Sequence, residues 1–165
     1  MNITLKIASA LALATVAFSG VANAANVTGD ASATIATPIA ISQTTPMSFG
    51  TVTASTTTAG TAVLTTTNGL TTTGGAGTLG GTPSAAAFSV TGSTGATYSI
   101  TLPTTATLAS GGSSMTVSGF NHSAGLTPTL AGGSATFKVG ATLNIGAGQV
   151  AGAYSGTYAI TANYN

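Results

Sequence analysis

The side chains that carry out most enzyme chemistry are scarce in this sequence. It contains one histidine (His122), one acidic residue (Asp30) and no cysteine. A serine hydrolase needs a histidine base that an acidic residue orients, so a triad would have to use both of these single residues. Glycoside hydrolysis by a pair of side-chain carboxylates is excluded because the second carboxylate does not exist. We therefore expect no catalytic residues and a protein that is not an enzyme.

Ligands for metal ions and phosphate groups are also missing. Zinc sites use about three or four histidine, cysteine or acidic side chains, and calcium sites need several oxygen ligands with acidic residues among them. The glycine pairs Gly74-Gly75 and Gly80-Gly81 lack the lysine of a phosphate-binding loop, so they are predicted to be turns. The sequence thus predicts no metal site and no cofactor.

Charged residues are almost absent. Lys6 and Lys138 are the basic residues, Asp30 is the acidic one, and the formal net charge is +1. Without a basic patch the chain lacks the electrostatic basis for binding nucleic acid. A net charge near zero promotes association, so the composition favours a protein that assembles with copies of itself.

The N-terminus has the layout of a secretory signal peptide. Lys6 supplies a positive charge, residues 7–18 form a short apolar run, and Ala22-Asn23-Ala24 is a small-x-small cleavage site. A membrane-spanning helix needs about 20 apolar residues, which is more than this run provides. We predict that residues 1–24 are removed on export through the inner membrane. The mature chain is then expected to pass through the periplasm to the cell surface or an extracellular filament.

The remaining chain predicts strands separated by glycine-rich loops. Thr, Val and Ile favour strands, and apolar residues alternate with polar ones in several short runs. This pattern is typical of an antiparallel sandwich, and we predict an all-β, Ig-like antiparallel β-sandwich of about seven to nine strands over residues 38–165. Its predicted core residues are Ile39, Ile41, Phe49, Val63, Phe88, Val90, Ile100, Leu102, Val117, Phe137, Val139, Leu143, Tyr158 and Ile160.

Residues 25–37 form a separate N-terminal extension in this interpretation. Gly29, Ala31, Ala33 and Ile35 alternate with polar residues, and Pro38 ends the run because proline cannot donate to a central ladder. The extension could be the first strand of a self-contained sandwich. We favour a second interpretation, in which it is a donor strand that completes the sheet of a neighbouring subunit.

The C-terminal run has the clearest alternation, with apolar and polar residues on opposite faces from Tyr154 to Tyr164. An apolar strand at a chain end is expected to be a sheet edge, and such an edge is open to pairing with another chain. The strand could instead pair centrally within its own sheet, but we predict that residues 153–164 line an acceptor groove. The predicted assembly residues here are Gly152, Tyr154, Tyr158, Ile160 and Tyr164.

Short motifs follow one another along the mature chain. They are Pro38-Ile39-x-Ile41, Met47-Ser48-Phe49-Gly50, Gly60-Thr61-x-Val63, Phe88-x-Val90-x-Gly92, Ile100-x-Leu102-Pro103, Met115-x-Val117, Phe137-x-Val139-Gly140-x-x-Leu143, Gly148-Gln149 and Gly152-x-Tyr154. In this order and spacing they resemble a family of bacterial secreted proteins that carry a domain of unknown function. That family in turn looks similar to spore coat protein U and to fimbrial pilins.

The chain end resembles that of chaperone–usher pilins, since Tyr164 is penultimate and Gly152 lies about a dozen residues upstream. The resemblance implies a pilin-like fold, a periplasmic chaperone that binds the last strand, and an outer-membrane usher. A donor strand from another subunit would then replace the chaperone. The chain departs from many pilins because it has no cysteine and hence no disulfide.

Together these features predict a structural subunit of an extracellular surface filament, such as a pilus or fimbria that serves cell adhesion and biofilm formation. Copies would be joined in a homopolymer by β-strand donation. One alternative is a self-complemented, monomeric envelope or surface protein. Another is a carbohydrate-binding adhesin module, although the chain has no tryptophan with which to stack on a sugar.

Overall fold

The computed structural model describes residues 24–165. The predicted signal peptide lies outside the described residues except for its last residue, Ala24. Residues 35–165 form a compact unit, which begins slightly before the predicted domain boundary at residue 38. Residues 24–34 are exposed to solvent throughout, and no strand is present between residues 24 and 39.

Residues 24–165 fold into eleven β-strands, and every strand pair among them is antiparallel. They are β1 (Ala40–Thr45), β2 (Thr51–Ala54), β3 (Gly60–Leu64), β4 (Leu70–Gly74), β5 (Ala76–Gly80), β6 (Ala86–Thr91), β7 (Tyr98–Thr101), β8 (Thr105–Ser110), β9 (Ser113–His122), β10 (Ser134–Ile145) and β11 (Thr161–Tyr164). Within residues 24–165 the one helical element is a short 3-10 turn at Ala131–Gly133. The predicted all-β sandwich is confirmed, with more strands than the seven to nine expected.

The long strand β10 organises the sandwich. Its first half pairs with β6, its second half pairs with β3, and β9 pairs with it across residues 139–144. The main sheet has the order β1-β6-β10-β3-β4, with β9 and β8 attached through β10. Gly140 lies where β10 changes partner, and an added Cβ there would collide with the carbonyl oxygen of Leu64. Glycine at this position therefore permits the close approach of β10 to the backbone of Leu64, at the point where its partner changes from β6 to β3.

Two apolar clusters fill the interior. The first is centred on Leu64, Val117 and Leu143. The second contains Val90 and Phe137, and the rings of Phe88 and Phe137 stack with their centroids 5.4 Å apart. Because alternate side chains of a strand point to the same face, β10 contributes to both clusters. The core is therefore continuous along this strand.

The predicted core is largely confirmed, with one error of strand face. Phe49, Phe88, Val90, Val117, Phe137, Val139 and Leu143 are buried. Ile39, Ile41, Ile100, Leu102, Tyr158 and Ile160 are half-buried against the second cluster.

Val63 was assigned to the wrong face of β3. The neighbouring Ala62 and Leu64 are buried, whereas Val63 is half-exposed. Three apolar residues follow one another here, so alternation alone did not choose between the two faces. An error of one residue exchanges the buried and the exposed faces of a strand. The packing of Leu64 in the first cluster shows which face of β3 is buried.

Candidate assembly groove

A groove of about 1000 Å³ lies against the first cluster. One rim consists of residues 46–54, which include β2, and the other consists of residues 149–158 near the C-terminus. We call these the β2 rim and the C-terminal rim. Every lining residue belongs to the compact unit of residues 35–165.

The floor of the groove is apolar. It is formed by side chains that strands β8, β9 and β10 direct inward, and these are Ala106, Leu108, Met115, Val117, Leu143 and Ile145. Most of them belong to the first core cluster. The groove is therefore a place where the core meets solvent, rather than a polar site of the kind that binds charged metabolites.

The β2 rim has an open backbone edge. Among the described residues, β2 forms a ladder with β5 alone, so its other edge has no strand partner there. Directly after β2, the carbonyl oxygen of Ser55 accepts from the amide of Gly148 at 2.8 Å. An unpaired strand edge offers amide and carbonyl groups to an incoming chain.

The C-terminal rim is less regular than the sequence predicted. Of the predicted strand over residues 153–164, only β11 pairs, with β7, while Ser155 makes an isolated bridge to Ala109 of β8. Pro103 lies between β7 and β8 and has no amide hydrogen to donate. Within residues 24–165, residues 156–160 take part in no ladder. Of these residues, 156–158 line the groove.

Gly156 explains how closely this rim approaches the fold. A Cβ on Gly156 would collide with the carbonyl oxygen of Thr107 in β8. The residue was not singled out from the sequence, because a glycine in a strand-like run has several possible meanings. Its role is to let the C-terminal rim pass directly over β8.

Two tyrosines of the C-terminal rim differ in their hydrogen bonds. The hydroxyl of Tyr154 donates to the carbonyl oxygen of Val150 and accepts from the side-chain amide of Gln149, both at 2.7 Å. Tyr158 packs with Phe120 at a centroid distance of 5.2 Å, and its buried hydroxyl has no hydrogen-bond partner among the described residues. Burial raises the pKa of Tyr158 above its ordinary value of 10.0.

We expect Tyr158→Phe to raise the free energy of unfolding at neutral pH by about 1 kcal/mol, because it removes a buried polar group without a partner. The matched change Tyr154→Phe should lower it by a similar amount, about 1 kcal/mol, because it removes two hydrogen bonds. Urea unfolding of both monomeric variants measures the difference. Equal effects of the two changes would contradict this account.

The same pair predicts a pH dependence. Because the folded-state pKa of Tyr158 is raised, the unfolded chain loses this proton first as the pH rises above 10.0. The contribution of the neutral phenol is fully present below pH 10.0 and is lost as the pH rises through the folded pKa. The alkaline loss of stability should therefore be shallower in Tyr158→Phe. Burial also raises the pKa of Tyr98. Part of the alkaline loss of stability should therefore remain both in the wild-type protein and in Tyr158→Phe.

The predicted C-terminal assembly residues separate into two groups. Gly152, Tyr154 and Tyr158 line the groove. Ile160 and Tyr164 lie outside its lining and pack against the second core cluster. The residues 149–151 complete the C-terminal rim, and among them Val150 is 62% exposed.

Tyr164 has a different position from the one predicted for it. Its hydroxyl accepts from the backbone amide of Ser93 at 2.7 Å and donates to the carbonyl oxygen of Thr37 at 2.6 Å. The side chain thus contacts the start of the compact unit rather than the groove.

The predicted donor residues Gly29, Ala31, Ala33 and Ile35 are all exposed and belong to no strand. Ile35 is 96% exposed, and Val27, which shares its parity, is 94% exposed.

The residues considered for catalysis have other surroundings. His122 lies in β9, where its ring meets the edge of Phe137 at 6.1 Å and its buried Nδ1 has no hydrogen-bond partner within residues 24–165. Asp30 is exposed in the N-terminal segment. The described part of the chain contains no cluster of three metal-ligating residues. It also contains no helix long and apolar enough to cross a membrane.

The β2 rim was missed by the sequence analysis. A short alternation, in which Val52 and Ala54 are flanked by threonines, was the signal for β2. Strand β8 was missed as well, although Ala106 and Leu108 alternate with polar or small residues. Runs of four to six residues of this kind give too few repeats for periodicity to distinguish them clearly from loops.

A comparison with protein families matches residues 39–164 to DUF4402, a domain of unknown function. The match covers all eleven strands and leaves the segment before Ile39 outside it. No curated protein and no solved structure matches the chain. The sandwich of residues 39–164 is thus a DUF4402 domain, and the chain belongs to that family.

Proposed function

We propose that this protein is a non-enzymatic structural subunit of an extracellular surface filament, assembled by β-strand donation. In this proposal residues 27–35 of one copy occupy the groove of the next copy. The observation that carries it is an apolar groove whose two rims both have open backbone edges.

A strand inserted in the groove would complete the backbone pairing of both rims. Buried amide and carbonyl groups need partners, and an extended chain supplies one of each along either edge. Main-chain hydrogen bonds would give the affinity, while alternate side chains would enter the apolar floor and fix the register. A folded domain with a deep floor but open rims is suited to this kind of occupant.

The exposed apolar residues favour a second copy as the occupant. Five large apolar side chains are prominently exposed in the described residues, namely Val27, Ile35, Leu79, Leu126 and Val150. Leu79 and Val150 lie at the groove, and Val27 and Ile35 lie in the N-terminal segment. Strand donation would remove both sets of side chains from water in one step. Burial of apolar surface is the dominant favourable term in most protein association.

The lengths are compatible as well. The β2 rim (residues 46–54) and residues 27–35 each span about 30 Å as extended chain. The segment is therefore long enough to cover the groove. Between its larger ends it carries Gly29, Ala31 and Ala33 on one parity, which are small enough to lie over a floor already filled by leucine and methionine side chains.

An open groove needs protection before assembly, because an apolar sheet edge aggregates. We infer export by the N-terminal signal, cover by a periplasmic chaperone, and delivery through an outer-membrane usher. The filament would lie at the cell surface and serve adhesion and biofilm formation.

The proposal is tested by shearing material from producing cells and running it unboiled on a denaturing gel, with negative-stain microscopy of the same sample. We expect a ladder of subunit multiples that collapses on boiling, and thin fibres. A single monomer band without fibres, with the export genes present, would contradict strand donation and favour the self-complemented envelope protein. A sugar-binding monomer would instead support the adhesin alternative.

A further inference from the structure

The hydroxyl of Tyr164 joins three distant parts of the chain. It donates to the carbonyl oxygen of Thr37 at 2.6 Å and accepts from the amide of Ser93 at 2.7 Å. The hydroxyl of Ser93 in turn accepts from the amide of Thr37 at 2.8 Å. Thr37 is thus held through both of its backbone polar groups, although it lies in no strand.

The loop beneath Tyr164 leaves room for this arrangement. A Cβ on Gly92 would collide with the Tyr164 hydroxyl. The amide of Gly92 also donates to the carbonyl oxygen of Gly133 at 3.0 Å, which ties the loop to the start of β10. The loop that carries Ser93 is therefore held by the main sheet.

The residues that follow Thr37 are restrained by other means. Pro38 fixes its own φ and limits Thr37 to extended conformations. Ile39 is half-buried against the second core cluster. In contrast, Ile35 is 96% exposed two residues before Thr37. The change from anchored to exposed chain occurs at Thr37, and we call residues 37–39 the root.

We propose that Tyr164 is a positioning residue that fixes the root, so that the N-terminal segment leaves the compact unit from one point. Loss of the hydroxyl would free both backbone groups of Thr37 from the end of the sandwich. In a filament, the root is the joint between successive subunits, and this second part of the inference rests on the proposed function. Tyr164 would then set how freely one subunit swings on the next.

The first test uses the full mature chain, kept monomeric by Leu108→Lys in the groove floor. In Tyr164→Phe the amide order parameter of Thr37 should fall from about 0.85 to below about 0.6. Hydrogen exchange at the Ser93 amide should accelerate about tenfold. Tyr154→Phe, which removes a hydroxyl at the groove, is the matched control and should change neither value.

A second variant guards against an indirect effect of altering the last strand. Ser93→Ala keeps Tyr164 but removes the acceptor of the Thr37 amide, and it should also lower the order parameter at Thr37. Unchanged order at Thr37 in a folded Tyr164→Phe protein would overturn the inference, whatever Ser93→Ala does.

The second test measures filaments of the chain with an unblocked groove. Tyr164→Phe filaments should have a persistence length at least about twofold shorter than wild-type filaments in negative-stain images, because the joint loses its restraint. Equal persistence lengths would overturn the role at the joint. Absence of wild-type filaments would contradict the proposed function instead, and the order parameter of Thr37 would still decide whether Tyr164 fixes the root.

Discussion

Deletion of residues 25–35 is expected to abolish every band above the monomer in the unboiled gel. The deletion removes the proposed donor segment but leaves the root and all eleven strands, so the domain should still unfold cooperatively. Retention of the ladder would contradict strand donation by this segment. A large loss of thermal stability in the monomer would instead indicate that the segment completes its own domain.

Single substitutions make the same test sharper, because only one parity of an inserted strand faces the groove. Ala31→Lys should remove the ladder, since it directs a charge into an apolar floor. Ser32→Lys places the same charge one residue along and should leave the ladder in place. Equal behaviour of the two variants would exclude a regular inserted strand, whatever the effect of the deletion.

Blocking the groove from the acceptor side is expected to have an equally large effect. Leu108 is a half-buried floor residue of β8. In Leu108→Lys the long side chain can occupy the groove and carry its charge to water, so the monomer should fold with a loss of roughly 2 kcal/mol or less. The ladder should disappear. Thr107→Lys, on the exposed face of the same strand, is the control and should polymerise normally.

The two defects should complement each other in one joint. The deletion variant keeps an intact groove without a donor, and Leu108→Lys keeps a donor without a groove. Neither variant should polymerise alone. When the two are co-expressed, the unboiled denaturing gel should show a dimer band and no band of higher mass. A dimer of Leu108→Lys alone would contradict the placement of the acceptor site. Failure of the pair to dimerise, with both variants exported and folded, would contradict donation between copies.

The all-β fold could be predicted from the sequence because its causes are local. Thr, Val and Ile favour strands, and the alternation around Phe137 and Val139 matches a strand with one buried face. The near absence of charge and the lack of paired catalytic side chains also follow from composition alone. These properties need no knowledge of which strand lies beside which.

The site was only partly predictable, since its position depends on strand pairing. The C-terminal tyrosines were recognised from their alternation, and Tyr154 and Tyr158 do line the groove. The opposite rim was missed because β2 is too short to give a clear period. Tyr164 shares the parity of Tyr158, yet it contacts Thr37, because it belongs to β11, which pairs with β7 and does not line the groove.

The sequence by itself determined that this chain forms strands, that it has a single histidine, a single acidic residue and no cysteine, and that an alternating apolar segment precedes Pro38. Only the tertiary structure decided that Leu64 rather than Val63 enters the core, and that residues 156–158 lie beside an apolar floor without a ladder partner among the described residues. The physical reason is that strand propensity and alternation are local properties of the sequence. The groove, in contrast, depends on the distance between two segments that are far apart in the sequence. That separation is set by the packing of β8, β9 and β10 beneath them.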